Sequence, residues 1–277
     1  AAVNPVILRC NDMIKVLFFA QVRELLGTAA IEVESQPGLT AEALRAQLAA
    51  TDDKWARVMA SDKLLVAINQ TLSDNGQTAP LETILARHGA NYARLRVWVD
   101  PPKGTSELES ALTLARRAHE AGLQILLDLH YSDSWADRTA QQTPAAWQGQ
   151  TPEQLLNTVE TYTRDVVTAF ARQATPVDIV QIGNETTHGM LWPTGQIYKQ
   201  SGEDWTGYAE LVRAGIRGAK EASPGTSPLI MLHSDTGGDQ EASVYYLDHV
   251  QQQGVDFDLI GLTYYPFWNG SLADLQK

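Results

Sequence analysis

In the stretch IVQIGNETTHGMLWP, Ile179 to Pro193, a short apolar run leads directly into Gly183, Asn184 and Glu185, and Trp192 follows closely. A carboxyl group at the mouth of a strand does little for packing. Beside an amide and near an indole it is well placed for proton chemistry on a bound ligand. Polar side chains end four other apolar runs in the same way: Arg94 and Arg96, Asp128 and His130, His233 and Asp235, Tyr264 and Tyr265. Of the two arginines, one is expected to line a site and the other to face elsewhere. The carboxyl ends of parallel strands form one face of a (β/α) barrel, and catalytic groups gather there. An open doubly wound sheet would also collect ligand groups at strand ends, but no Gly-rich phosphate loop follows any of the strands, so the barrel is favoured.

Aromatic residues flank the same ends: Trp98, Tyr131, Trp135, Trp147, Trp192, Tyr264, Phe267 and Trp268. Flat rings beside carboxylates and amides suit a sugar, which offers a C–H face for stacking and hydroxyls for hydrogen bonds. The histidines are scattered, with no HExxH spacing, so no metal is expected and no cofactor. His88, His119 and His249 fall in helical patterns and read as solvated.

The 277 residues carry a net charge of −12 and 44% apolar side chains. That content builds a packed core. With no Lys/Arg run, neither a nucleic-acid backbone nor an anionic membrane surface is an expected partner, while a protein partner is left open. Cys10 is the single cysteine, which excludes an internal disulfide framework. No apolar run reaches transmembrane length and no export signal is recognised, which leaves localisation undetermined.

The elements that must position these groups fall into two parts. Residues 1–12 are unassigned. Over residues 13–74 the pattern predicts strands at Met13–Ala20 and Ala30–Ser35, a short helix between them, a helix from Leu39 capped by Thr40, a further helical piece at Asp52–Ala60, and a strand over Lys63–Leu72. Over residues 75–277, helices alternate with five strands: Tyr92–Val99, Gln124–His130, Asp178–Gly183, Pro228–His233 and Phe257–Pro266. Nearly continuous apolar interiors predict a parallel sheet covered on both sides.

Four motifs, NYARLRVWVDP, LLDLHYSDSWAD with PAAW after it, IGNETTHGMLWPTG and GLTYYPFW, resemble the arabinogalactan endo-β-1,4-galactanases of glycoside hydrolase family 53, in family order. The resemblance implies retaining hydrolysis of β-1,4-galactan or galacto-oligosaccharides. Glu185 matches the family's general acid/base, and Asn184 the amide that holds the hydroxyl beside the anomeric carbon. Arg94, Asp128, His130, Trp135, Trp192, His233 and Tyr264 are the expected substrate-binding residues. The family's nucleophile is a Glu ending a seventh strand, beyond Lys277, and Asp235 does not match its position. The 277 residues are therefore expected to lack turnover, with a non-catalytic galactan-binding module as the alternative. Arg138 stands where the family usually has Pro after WAD.

Met13 to about Leu72, MIKVLFFAQVRELLGTAAIEVE through DKLLVAINQTL, is similar to the small sulfur-carrier subunit of molybdopterin synthase, a ubiquitin-like β-grasp family that acts through a C-terminal Gly-Gly. No such tail precedes the second part. The fold class expected is thus α/β: an incomplete (β/α)8 TIM barrel with an N-terminal β-grasp segment, a juxtaposition that suggests a chimera of two reading frames. Leu64 to Asn69 is expected to pair where the barrel's first strand belongs. The two resemblances conflict on location, since the galactanases are usually secreted and the sulfur carrier is cytoplasmic.

Overall fold

The structure, a computed structural model, describes residues 13–18, 20–34, 39–60, 66–68, 71–74, 77–222 and 227–276. Residues 1–12, with Cys10, lie outside them. The chain divides into two compact units, Ala1–Ile84 and Leu85–Lys277.

In the first unit, β1 (Met13–Leu17) runs antiparallel to β2 (Ala30–Glu34), with α1 (Ala20–Leu26) between them in sequence. Two helices follow, α2 (Ala41–Ala49) and α3 (Asp53–Met59). Thr40 caps α2 by accepting from the Ala43 N–H, and Asp52 caps α3 by accepting from the Lys54 and Trp55 N–H groups. Phe18, Leu26, Leu48 and Met59 bury a small core with Trp55 edge-on to Phe18. The strand expected over Lys63–Leu72 is instead two, β3 (Val66–Ile68) and β4 (Thr71–Asp74), which with β5 (Gln77–Ala79) form an antiparallel meander. Lys63 to Leu65, Asn69 and Gln70, which the pattern reads as strand, lie outside the described residues. Among the described residues β3 pairs with β4, not with the parallel sheet as expected for Leu64–Asn69, and the five strands of this unit form two separate sheets.

Helix α4 (Leu81–Arg87) leads to the second unit. There β6 (Tyr92–Val97), α5 (Leu108–Glu120), β7 (Gln124–Leu129), α6 (Pro152–Arg172) and β8 (Ile179–Ile182) alternate. Two short antiparallel ladders follow, β9 (Gly189–Met190) with β10 (Gly195–Gln196) and β11 (Tyr198–Lys199) with β12 (Gly202–Glu203). Alternation resumes through α7 (Thr206–Glu221), β13 (Leu229–Ser234), α8 (Gln240–Gln252), β14 (Leu259–Leu262) and the short α9 (Leu272–Leu275). The sheet is parallel throughout, in the order β14-β13-β8-β7-β6.

Period-two alternation sorts its faces. Leu95, Val97, Ile125, Leu127, Leu129, Val180, Ile182, Ile230 and Leu232 are buried in the main core with side chains from α5, α6, α7 and α8. Those are one parity of each strand. The other parity carries Arg94, Arg96, Asp128, Gln181 and His233 beside Leu126, Ile179 and Met231, so this second face is mixed and holds the strands' charged groups. At the amino ends of the strands the groups are structural: the Asp178 carboxylate accepts from the Ile125 N–H, and the Asp258 carboxylate from the Ile230 N–H, each at 2.8 Å.

Candidate active site

Asp128, fully buried on β7, is the hub of the polar cluster. Its carboxylate accepts from Gln181 Nε2 at 2.7 Å and from His130 Nε2 at 3.0 Å, and pairs with the Arg94 guanidinium at 3.0 Å. A buried carboxylate is stable only when its oxygens are answered in this way. The Ala136 N–H points at His130 Nδ1, 3.1 Å away, so Nδ1 accepts and Nε2 carries the hydrogen donated to Asp128. Arg94 also donates to Gln181 Oε1 at 3.0 Å and to Asn184 Oδ1 at 2.8 Å. Asn184 Nδ2 donates to the Ala136 carbonyl at 2.7 Å, leaving its second N–H uncommitted in this network.

Glu185 sits just past β8, where the backbone turns twice into the left-handed region: φ is +79° at Gly183 and 50° at Glu185. A Cβ at position 183 would lie 2.5 Å from Thr186 Cγ2, so glycine is required there on both counts. The half-buried Glu185 carboxyl accepts from the Thr263 hydroxyl at 2.7 Å. Its own backbone N–H donates to His233 Nδ1 at 3.2 Å, and His233 Nε2 lies 3.2 Å from Thr263 Oγ1. Burial raises the proton affinity of Glu185, the Thr263 hydrogen bond lowers it, and the negative fields of Asp235 and Asp137 raise it further; the net displacement is upward. Burial, reinforced by Arg94, holds the His233 imidazole down to about 4, so it is neutral.

Arg94 and Arg96 both belong to the polar parity of β6, two residues apart, which corrects the expectation that they diverge. They differ in partner: the Arg96 guanidinium lies 5.0 Å from the Trp98 ring centroid and 4.5 Å from that of Trp135, and its Nε donates to Ser106. Trp135 is 49% exposed and stands edge-on to His130. Trp192 is tied in one step further out: its backbone N–H donates to the Gln141 carbonyl and its indole N–H to the His188 carbonyl, while Gln141 Nε2 donates to the Asn184 carbonyl. The Trp192 ring lines an adjoining cleft of about 450 Å³ with Gln142, Thr143, Gln148 and Gln150. Tyr264 donates to the Gly270 carbonyl and makes no described hydrogen bond to Glu185.

Two of the flanking aromatics are core residues. Tyr131 is 1% exposed with its hydroxyl on Thr163, and Trp147 packs edge-on to Tyr162. His249 is not simply solvated, since it stacks on Trp205 at 4.7 Å. Gln181, Thr263 and Gln141 are site residues that the sequence reading missed. Gln181 had a signal: it is the one polar residue inside an otherwise apolar four-residue strand.

A polar cluster at the carboxyl ends of a helix-backed parallel sheet, with Asn184 and Glu185 just past β8, is the arrangement in which (β/α) folds gather their ligand-binding groups. The glycosyl hydrolase family 53 model matches residues 54–277, and the chain belongs to that family. The match begins upstream of residue 75. Among curated proteins the chain is 43% identical over 200 residues to a probable arabinogalactan endo-β-1,4-galactanase A of Aspergillus terreus, covering 70% of this chain and 56% of that protein. It is 42% identical over 208 residues to arabinogalactan endo-β-1,4-galactanase A of Aspergillus niger, covering 73% and 58%. A solved structure from a study of two fungal β-1,4-galactanases superimposes with a TM-score of 0.67 at 39% identity, covering 73% of this chain and 61% of that one. The family 53 catalytic domain of Ignisphaera aggregans gives 0.67 at 32%, covering 73% and 56%. The chain spans little more than half the length of the curated relatives it matches.

Proposed function

We propose that the second unit carries the acid/base half of an endo-β-1,4-galactanase site, acting on β-1,4-galactan with retention. The observation that carries this reading is the Glu185 carboxyl, raised in proton affinity and seated beside an Asn184 amide that Arg94 and the Ala136 carbonyl hold at both ends. Glu185 delivers its proton to the glycosidic oxygen as the C–O bond breaks, and the leaving sugar departs as an alcohol. The free Asn184 N–H holds the hydroxyl beside the anomeric carbon. Arg94, Asp128 and His130 fix that amide, and Trp135, Trp192, His233 and Tyr264 contact the sugars. The names of the relatives support galactan as the substrate.

A retaining mechanism needs a second carboxylate about 5–5.5 Å away as nucleophile. Asp235, whose oxygens take up Thr187 and, at 3.3 Å, Arg138, does not match the position of the family's nucleophile. For a polypeptide of residues 1–277 this reading expects galactan binding without hydrolysis. Titration calorimetry with β-1,4-galactotetraose tests both statements. Heat of binding that is weakened by Arg94→Ala, with no product released, supports the reading. Absence of heat overturns the substrate class, and product release that vanishes in Glu185→Gln overturns the inactivity.

For residues 13–74 the antiparallel β1 and β2 pair followed by α2 supports descent from the β-grasp sulfur carrier, joined as a chimera to a family 53 segment whose match begins at residue 54. A long read across the codons for Thr71 to Thr78 tests it: a junction absent from the locus overturns the chimera as a natural gene.

A further inference from the structure

Resting on the acid/base reading of Glu185, we propose that Thr263 is a positioning residue which, oriented by His233, decides which oxygen of the Glu185 carboxyl carries the proton and holds the carboxylate after the proton leaves. The argument is one of hydrogen direction. The Glu185 backbone N–H has a single hydrogen, directed at His233 Nδ1, 3.2 Å away. That nitrogen must accept, so the neutral ring carries its hydrogen on Nε2. Nε2 lies 3.2 Å from Thr263 Oγ1 and donates to it. Thr263 then has its own hydrogen to give, and the acceptor at 2.7 Å is Glu185 Oε1. The circuit leaves from the backbone of Glu185 and returns to its side chain. Every hydrogen in it runs one way, so Oε1 is committed as an acceptor and the transferable proton resides on Oε2.

A second feature makes room for this circuit. Gly261 on β14 is the register partner of His233 on β13, and a Cβ there would lie 2.9 Å from His233 Cδ2. Glycine at 261 lets the imidazole lie across toward Thr263, two residues further along. The charged and titratable groups that face Glu185 are Arg94 from β6, Asp137 from the segment after β7, and His233 and Asp235 from β13 and its end, with Arg138 acting on Asp235. None of the carboxylates among them donates to Glu185. Thr263 is the described side chain that supplies its carboxyl with a hydrogen.

The test uses the whole chain without substrate, labelled at the Glu side-chain carboxyl carbon with ¹³C, with the Glu185 signal assigned by its loss in Glu185→Gln. Thr263→Val, which keeps shape and removes the hydroxyl, is expected to move the Glu185 titration up by about one pH unit, and Thr263→Ser to restore it. An unchanged midpoint in the Val variant, or no recovery in the Ser variant, overturns the proposal. A second measurement needs no variant: His233 side-chain nitrogen shifts should show hydrogen on Nε2 and none on Nδ1 across neutral pH, and the opposite tautomer overturns the direction of the circuit. Neither readout involves galactan, so failure here leaves the substrate reading standing, and failure of galactan binding leaves this one standing.

Discussion

The Arg94 guanidinium and the Asn184 side chain are joined across β6 and β8 by a 2.8 Å hydrogen bond, and the same guanidinium pairs with the fully buried Asp128. One cation thus sets the orientation of an amide and answers a carboxylate. Arg94→Met keeps much of the side-chain volume and leaves Asp128 without its counter-charge. Breaking a buried pair costs about 3–5 kcal/mol, and since Arg94 is 41% exposed the expected loss is smaller, about 2 kcal/mol. Urea denaturation at pH 7 measures it, and a loss below a few tenths of a kcal/mol would remove Arg94 from the role given to it.

Glu185 costs stability at neutral pH. Its folded proton affinity is raised, so the folded state binds more protons than the unfolded chain as pH climbs past the ordinary Glu range, and stability falls. Glu185→Gln should therefore be more stable than the parent at pH 7, with the difference closing below pH 4. Parallel denaturation curves at the two pH values decide it.

His233 has the opposite sign. Its folded value of about 4 lies below the ordinary 6.5, so the unfolded chain binds the extra proton between those values and stability rises with pH through that window. The contribution is complete above pH 6.5 and is lost on acidification toward pH 4, on the order of 3 kcal/mol at most. In His233→Gln this part of the acid sensitivity should flatten. An unchanged stability-versus-pH slope would show that the imidazole is not held neutral by the fold.

Gly183→Ala places a methyl 2.5 Å from Thr186 Cγ2 at a φ of +79°. The strained backbone alone costs roughly 1–2 kcal/mol, and the clash adds to it. The expected outcome is a lowered denaturation midpoint together with lost galactotetraose binding, because the same turn aims Glu185. Binding retained at full strength would uncouple the turn from the site.

The strand ends were legible in the sequence because Arg94, Asp128, Asn184, Glu185 and His233 interrupt apolar runs at their carboxyl sides. Thr263 was hidden by its own chemistry: a β-branched residue inside a strand reads as a strand former, and only register reveals that it faces His233 and Glu185. Tyr131 and Trp147 misled for the converse reason. Nearness in sequence to a polar strand end does not say which way an aromatic ring turns, and both turned into the core. The break of Lys63–Leu72 into two strands did carry a mark, the polar pair Asn69-Gln70 between Ile68 and Thr71, which the reading of one strand passed over.

The carboxylates of Asp178 and Asp258 each reach the N–H of the strand before their own, at Ile125 and Ile230. At the β7–β8 and β13–β14 pairs the register is therefore held by a side chain as well as by the backbone ladder, so a slip of one strand by two residues, which would keep its faces, would still break the clasp.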